Sequence, residues 1–155
     1  MDTKEDSKAL QAAVIKYQQA EFAAARSALE KLAAKNSMKA GRYLALIDLE
    51  QAADRGDITS KIALGNLYET GIAADYNLTK ARSLYLSALA DDHQDMEGYM
   101  LAAGADLGLG RIDLLNSEID AARRHFEKAV QGGKPALHQQ ANLYLQLISA
   151  KQGEK

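Results

Sequence analysis

Ala81-Arg82-Ser83-Leu84-Tyr85-Leu86-Ser87-Ala88 returns 41 residues later as Ala122-Arg123-Arg124-His125-Phe126-Glu127-Lys128-Ala129. The two alanines and the aromatic keep their places, at i, i+4 and i+7. Each copy therefore lays two small residues and one ring along a single helix face. A shorter copy, Ala25-Arg26-Ser27, stands earlier in the chain. A period near 40 residues lies in the range of helical-hairpin repeats, whose units bury their apolar faces only by stacking on one another.

The remainder of the sequence agrees with a helical reading. Ala, Leu, Lys, Glu and Gln dominate, all strong helix formers, and proline occurs once, at Pro135. Val, Thr and Phe are scarce, which argues against a sheet. Periodicity and breakers predict helices over 6–18, 21–34, 38–55, 58–70, 77–91, 95–108, 117–131 and 135–150. Asn36-Ser37 and Arg55-Gly56-Asp57 supply turn and capping residues. Gly71 suits a left-handed helix end, and Asn77 or Thr79 a helix start. Gly132-Gly133 closes the seventh helix, and Pro135 suits the first turn of the eighth. The expected fold is all-α, a superhelix (solenoid) of about four antiparallel hairpins in one domain over 1–155. One segment stands out, Gly108 to Asn116, which is longer than the matching link from Gly71 to Asn77. It is expected to protrude as a loop. Two registers compete there, one pairing Leu64 with Leu101 and the other Gly65 with Gly104.

From Gln51 to Gly133 the chain resembles the Sel-one-like repeat family. The best copy reads Ser60, Leu64-Gly65, Tyr68, Gly71, Asp75, Lys80-Ala81, Tyr85, Ala88. Gln51-Ala52-Ala53-Asp54-Arg55-Gly56 looks like the end of a preceding repeat. The later copy keeps Ala122, Phe126, Ala129 and Gly132 but lacks a clean Leu-Gly and Tyr set. Tyr17, Glu21-Phe22 and Ala25 look like a generic tetratricopeptide-type hairpin. The resemblance thus divides the domain into a TPR-like hairpin over 5–35, Sel-one-like repeats over 38–133 and a capping helix over 134–151. Gly65 and the alanines allow close helix approach, and Tyr68 and Tyr85 supply bulk between helices.

Motifs for chemistry are sparse. Cysteine is absent, which excludes disulfides, zinc–thiolate sites and cysteine nucleophiles. His93, His125 and His138 form no i, i+4 pair, so no metal site is expected. Arg123-Arg124-His125 with Lys128 reads as a solvated basic helix face, with an acidic partner as the alternative. Asp91-Asp92 and Asp95 read as capping groups for the next helix rather than as paired catalytic carboxylates. Gly108-Leu109-Gly110 lacks the Gly-Lys-Ser/Thr ending of a phosphate loop. A formal net charge of −2, with no basic stripe, gives no footprint for nucleic acid. No apolar run approaches the roughly 18 residues of a membrane span. Met1 to Asp6 shows no apolar core of a signal peptide, so both cytoplasm and, after removal of a signal, periplasm fit.

These features point to a binding module without cofactor or metal, not to an enzyme. Curved stacks of hairpins present a concave surface lined by the first helix of each hairpin. Polar candidates on those helices are Lys61, Asn66, Glu69, Tyr99 and Asp106. The resemblance implies a bacterial adaptor whose partner is another protein. In its sharper form it implies an immunity protein that neutralises a secreted toxin. Alternatives are an envelope assembly scaffold, a homo-oligomeric structural subunit and, further off, a cell-wall-related enzyme.

Overall fold

The computed structural model describes residues 3–91 and 95–153, and over them the chain is all-α, with eight helices and no strand. These are α1 (Lys4–Gln18), α2 (Phe22–Ala33), α3 (Met38–Asp54), α4 (Ile58–Thr70), α5 (Leu78–Ala90), α6 (Met96–Leu115), α7 (Ile119–Gly132) and α8 (Pro135–Gly153). None is long and apolar enough to cross a membrane among the described residues.

The breaks have the expected local chemistry. Asp57 accepts the Ser60 backbone N–H at 2.8 Å and so opens α4. Gly71 closes that helix at φ +68°, in the left-handed region that a side chain disfavours. Asn77 accepts from Lys80 N at 2.9 Å to open α5. Asp95 accepts from Gly98 N at 2.6 Å to open α6, the capping role expected for this acidic stretch. Its neighbours Asp92 and His93 lie outside the described residues.

The chain forms two compact units, Met1–Ala52 and Ala53–Lys155, with the boundary inside α3. In the first, Ala13, Ala25, Leu29, Leu32, Ala40 and Ile47 form the core of α1, α2 and α3. Tyr17 meets Phe22 and Tyr43 at 5.8 and 5.4 Å between ring centroids, sealing its edge. In the second unit α4 packs on α5, α5 on α6, α6 on α7 and α7 on α8, while α6 also touches α4 and α8. Leu64, Tyr85, Ala88, Leu109, Ile112, Phe126 and Ala129 are all but inaccessible there.

The expected loop after Gly108 does not form, since α6 runs on through Leu115. Gly108 and Gly110, placed in that expected loop, are both buried packing positions within α6. A Cβ on Gly108 would lie 2.3 Å from Tyr85 Cζ, and one on Gly110 would lie 2.5 Å from Phe126 Cε1. Two rings need those gaps more than the helix needs side chains there. The register is neither of the two expected. Gly65 meets the Tyr85 ring as Gly110 meets the Phe126 ring. Leu64-Gly65 is therefore matched by Leu109-Gly110, 45 residues on, while Tyr85 and Phe126 stand 41 apart. The four residues of difference are about one helical turn. The later copy takes that turn from its link, which is only Asn116 to Glu118. The expectation that this copy lacks a Leu-Gly pair is corrected in the same way; Tyr68 is replaced there by the buried Asp113.

Candidate functional site

The Tyr85 ring, carried by α5, stands in a slot between α4 and α6. Gly65 would crowd one edge with a Cβ at 2.5 Å from Cε1, and Gly108 the other. The Tyr85 hydroxyl lies 2.7 Å from both Asn66 Oδ1 and Glu69 Oε2, sharing one proton between two acceptors. Arg111 of α6 donates Nε to Glu69 Oε1 at 2.6 Å and Nη2 to Oε2 at 2.7 Å, a two-pronged pair. A longer bond of 3.2 Å reaches Asn66 Oδ1. Burial, reinforced by the hydrogen bond and charge of Glu69, pushes the Tyr85 hydroxyl well above its ordinary value. Burial also opposes the charge on Arg111, but the Glu69 carboxylate outweighs it and raises the guanidinium. Near neutral pH both groups keep their protons. The cluster thus ties three helices together through one network of hydrogen bonds.

Beside this brace α4, α6 and α8 enclose an open groove of about 440 Å³. Its floor is Ile62, Met100, Leu101, Leu107 and Leu137, and its polar rim is Thr59, Asn66, Arg111, Lys134 and Gln140. Gly104 lies at the bottom. Unlike Gly65, Gly108 and Gly110, it has room for a Cβ, which would meet Ile62 Cγ2 at an ordinary 3.4 Å. A glycine inside a helix costs about 1 kcal/mol relative to alanine. Packing does not demand that cost at Gly104, which lines the groove. The charged lining residues, Arg111 and Lys134, are both cationic, and Arg111 is already matched by Glu69.

The five residues singled out from the sequence are distributed over three places. Asn66 lines the groove, and Glu69 braces it from behind through Arg111. Tyr99 and Asp106 border a separate hollow of about 250 Å³ between α6 and α7, with Lys128 and Gln131. Tyr99 is exposed there, whereas Asp106 is buried and lies 2.8 Å from His125 Nδ1. Lys61 is buried and paired with Asp91 at 2.8 Å, and it does not line the groove.

His125 corrects an expectation. It was placed on a solvated basic face, but it packs against α6, between Asp106 and, at 3.7 Å from Nε2, Asp113 Oδ2. Among the described residues no group of three or more His, Asp or Glu is disposed to hold a metal ion. Sequence reasoning missed Thr59 and Ile62, although Thr59, Ile62 and Asn66 stand at i, i+3 and i+7 on α4. It also missed Arg111, which the expected loop removed from α6, and Gly104, Lys134, Leu137 and Gln140, which only the packing of α4, α6 and α8 brings together. Comparison of the chain with family models, with characterised proteins and with solved structures finds no match.

Proposed function

We propose that the chain is a Sel-one-like, TPR-like superhelical module that binds a segment of another protein in the groove between α4, α6 and α8. The observation that carries this reading is Gly104, a helix-weakening residue in the groove lining, where packing leaves room for a Cβ and a bulky side chain would project into the groove. An apolar floor of this size suits one or two apolar anchors of a bound segment. The rim offers donors and a cationic Lys134 without a balancing carboxylate in the lining, so acidic or carbonyl-rich flanks suit it. The rigid Tyr85–Glu69–Arg111 brace keeps the walls in place before binding, which lowers the ordering cost. On this reading the module acts by occupancy and not by catalysis, as an adaptor or as the neutraliser of a toxin.

Selection of peptides from a displayed library on the purified chain tests this. Selected peptides should share an apolar anchor with acidic neighbours and should shift amide resonances of Ile62, Gly104 and Leu137. Gly104→Leu should reduce their affinity by at least about tenfold. Peptides that bind Gly104→Leu as well as the parent chain would refute the groove as the binding site.

A further inference from the structure

The groove between α4, α6 and α8 has two chemically different ends. Ile62 lies against Gly104 and Asn66 bonds Arg111, so α4 and α6 run side by side in the same direction. Gly133 sits against Ala103, with 3.4 Å from its Cβ position to Ala103 Cβ, so Lys134 enters the groove at the level of Ala103. At 1.5 Å per residue along α6, Arg111 stands about 12 Å further on. An extended chain covers that span in about four residues.

At the first end Lys134 is exposed, and its ammonium has no ion pair among the described residues. At the second end the donors belong to Asn66 and Arg111, and the brace already engages part of each. Arg111 directs Nε and Nη2 at Glu69, and Nη2 also reaches Asn66 Oδ1. A guanidinium only donates, so the Asn66 atom that it meets is the carbonyl oxygen, which the Tyr85 hydroxyl also approaches at 2.7 Å. Both residues line the groove. What remains to them there is Asn66 Nδ2 and Arg111 Nη1, unpartnered among the described residues. The Glu69 carboxylate, in its two-pronged pair, balances the guanidinium charge. The first end thus offers charge, and the second offers hydrogens without net charge. A backbone carbonyl needs only the hydrogens. A carboxylate gives up its water for no opposite charge.

We propose that the groove takes an extended segment of a partner protein in one orientation: a side-chain carboxylate on Lys134, an apolar anchor over Gly104 and an uncharged backbone carbonyl on Asn66 and Arg111. The proposal rests on the groove as the binding site and adds its polarity. Glu69 touches no ligand; it is the positioning residue that sets this polarity. It holds the two donors in place and cancels the charge that would attract a second carboxylate.

Random displayed peptides selected on the full chain are the probe. In each selected peptide the neutral residue across the anchor from the acidic one is replaced by Glu, and both forms are titrated by fluorescence anisotropy. On the parent chain the added carboxylate should gain less than about threefold in affinity. On Glu69→Gln, which leaves Arg111 unmatched, it should gain at least about tenfold. A merely structural loss would weaken both peptides alike and leave their ratio unchanged. Lys134→Gln, at an exposed position, should reduce the advantage of the original acidic residue over Gln to less than about twofold. Selected peptides without an acidic flank overturn the proposal. So does a tenfold gain on the parent, an unchanged ratio on Glu69→Gln, or an acidic preference that survives Lys134→Gln. Each of these results leaves the groove reading intact where Gly104→Leu still weakens binding. Peptides indifferent to Gly104→Leu overturn the groove reading itself, and the polarity with it.

Discussion

At the scale of single residues, four glycines of the second unit divide by what faces them. Gly65, Gly108 and Gly110 face aromatic rings at distances no Cβ tolerates, whereas a Cβ at Gly104 would meet Ile62 at an ordinary 3.4 Å. Gly108→Ala should destabilise the chain by about 1–3 kcal/mol, because the Tyr85 ring has Gly65 at its other edge and cannot retreat. Gly104→Ala should be neutral or stabilise by up to about 1 kcal/mol. Urea denaturation midpoints of the two variants measure the contrast, and equal losses would contradict it. Tyr85 makes a second prediction. The unfolded hydroxyl ionises near its ordinary value of 10.0, the folded one well above it. The unfolded state therefore gives up the proton first. The contribution of Tyr85 is complete below pH 10 and declines as the pH rises beyond it. Relative to Tyr85→Phe, the parent should lose stability between about pH 10 and about pH 12. A stability difference constant over that interval would show that the hydroxyl is not held as described.

At the scale of elements, the recurrent Ala-Arg pair shows what sequence reading could reach. Ala25, Ala81 and Ala122 are each fully buried. The arginine that follows each one reaches into a later helix: Arg26 to Asp48, Arg82 to Asp113 and Arg123 to Gln152. Recurrence located the pairs, but it could not show that their partners differ in burial. Asp48 is largely exposed, whereas Asp113 is wholly buried, with Arg82 Nη1 at 2.6 Å from its Oδ1. Arg82→Ala should therefore cost about 3–5 kcal/mol by stranding a buried carboxylate. Arg26→Ala should cost less than about 1 kcal/mol, because water replaces its partner. Thermal unfolding of both variants settles the ranking. The start of α1 offers a milder case. Thr3 and Asp6 cap each other, and Lys35 sits 2.8 Å from Asp6. The hydrogen bonds from Lys35 and Thr3 lower the Asp6 carboxyl to about 2. An NMR titration should find that midpoint, and Lys35→Ala should move it up toward 3.8. Helix boundaries were legible wherever a break used capping chemistry, as at Asp57, Gly71, Asn77 and Asp95. They were not legible at Gly108 and Gly110, because a glycine required by a distant ring looks identical in sequence to one that ends a helix.

At the scale of the molecule, the groove was legible only in outline. A concave surface lined by the first helix of each hairpin was expected, with Asn66 on it, but the floor of the groove brings together residues about 30 to about 75 positions apart, two of its walls lying on α6 and α8. In the second unit each helix touches its neighbours in sequence, or the next but one. Chains with such local contacts fold in microseconds to milliseconds. Stopped-flow refolding should accordingly complete its main phase within about ten milliseconds; a main phase of seconds would mean that distant pairings limit the rate. The glycine slots also have a spectroscopic consequence. The chain contains no tryptophan, so fluorescence reports little of its interior. The α-protons of Gly65 and Gly108 lie against the ring of Tyr85, and those of Gly110 against Phe126, itself stacked on Tyr144 at 4.7 Å. Circulating π-electrons should displace these three glycine signals from the crowded centre of a proton spectrum, giving the native packing its own labels without any probe being attached.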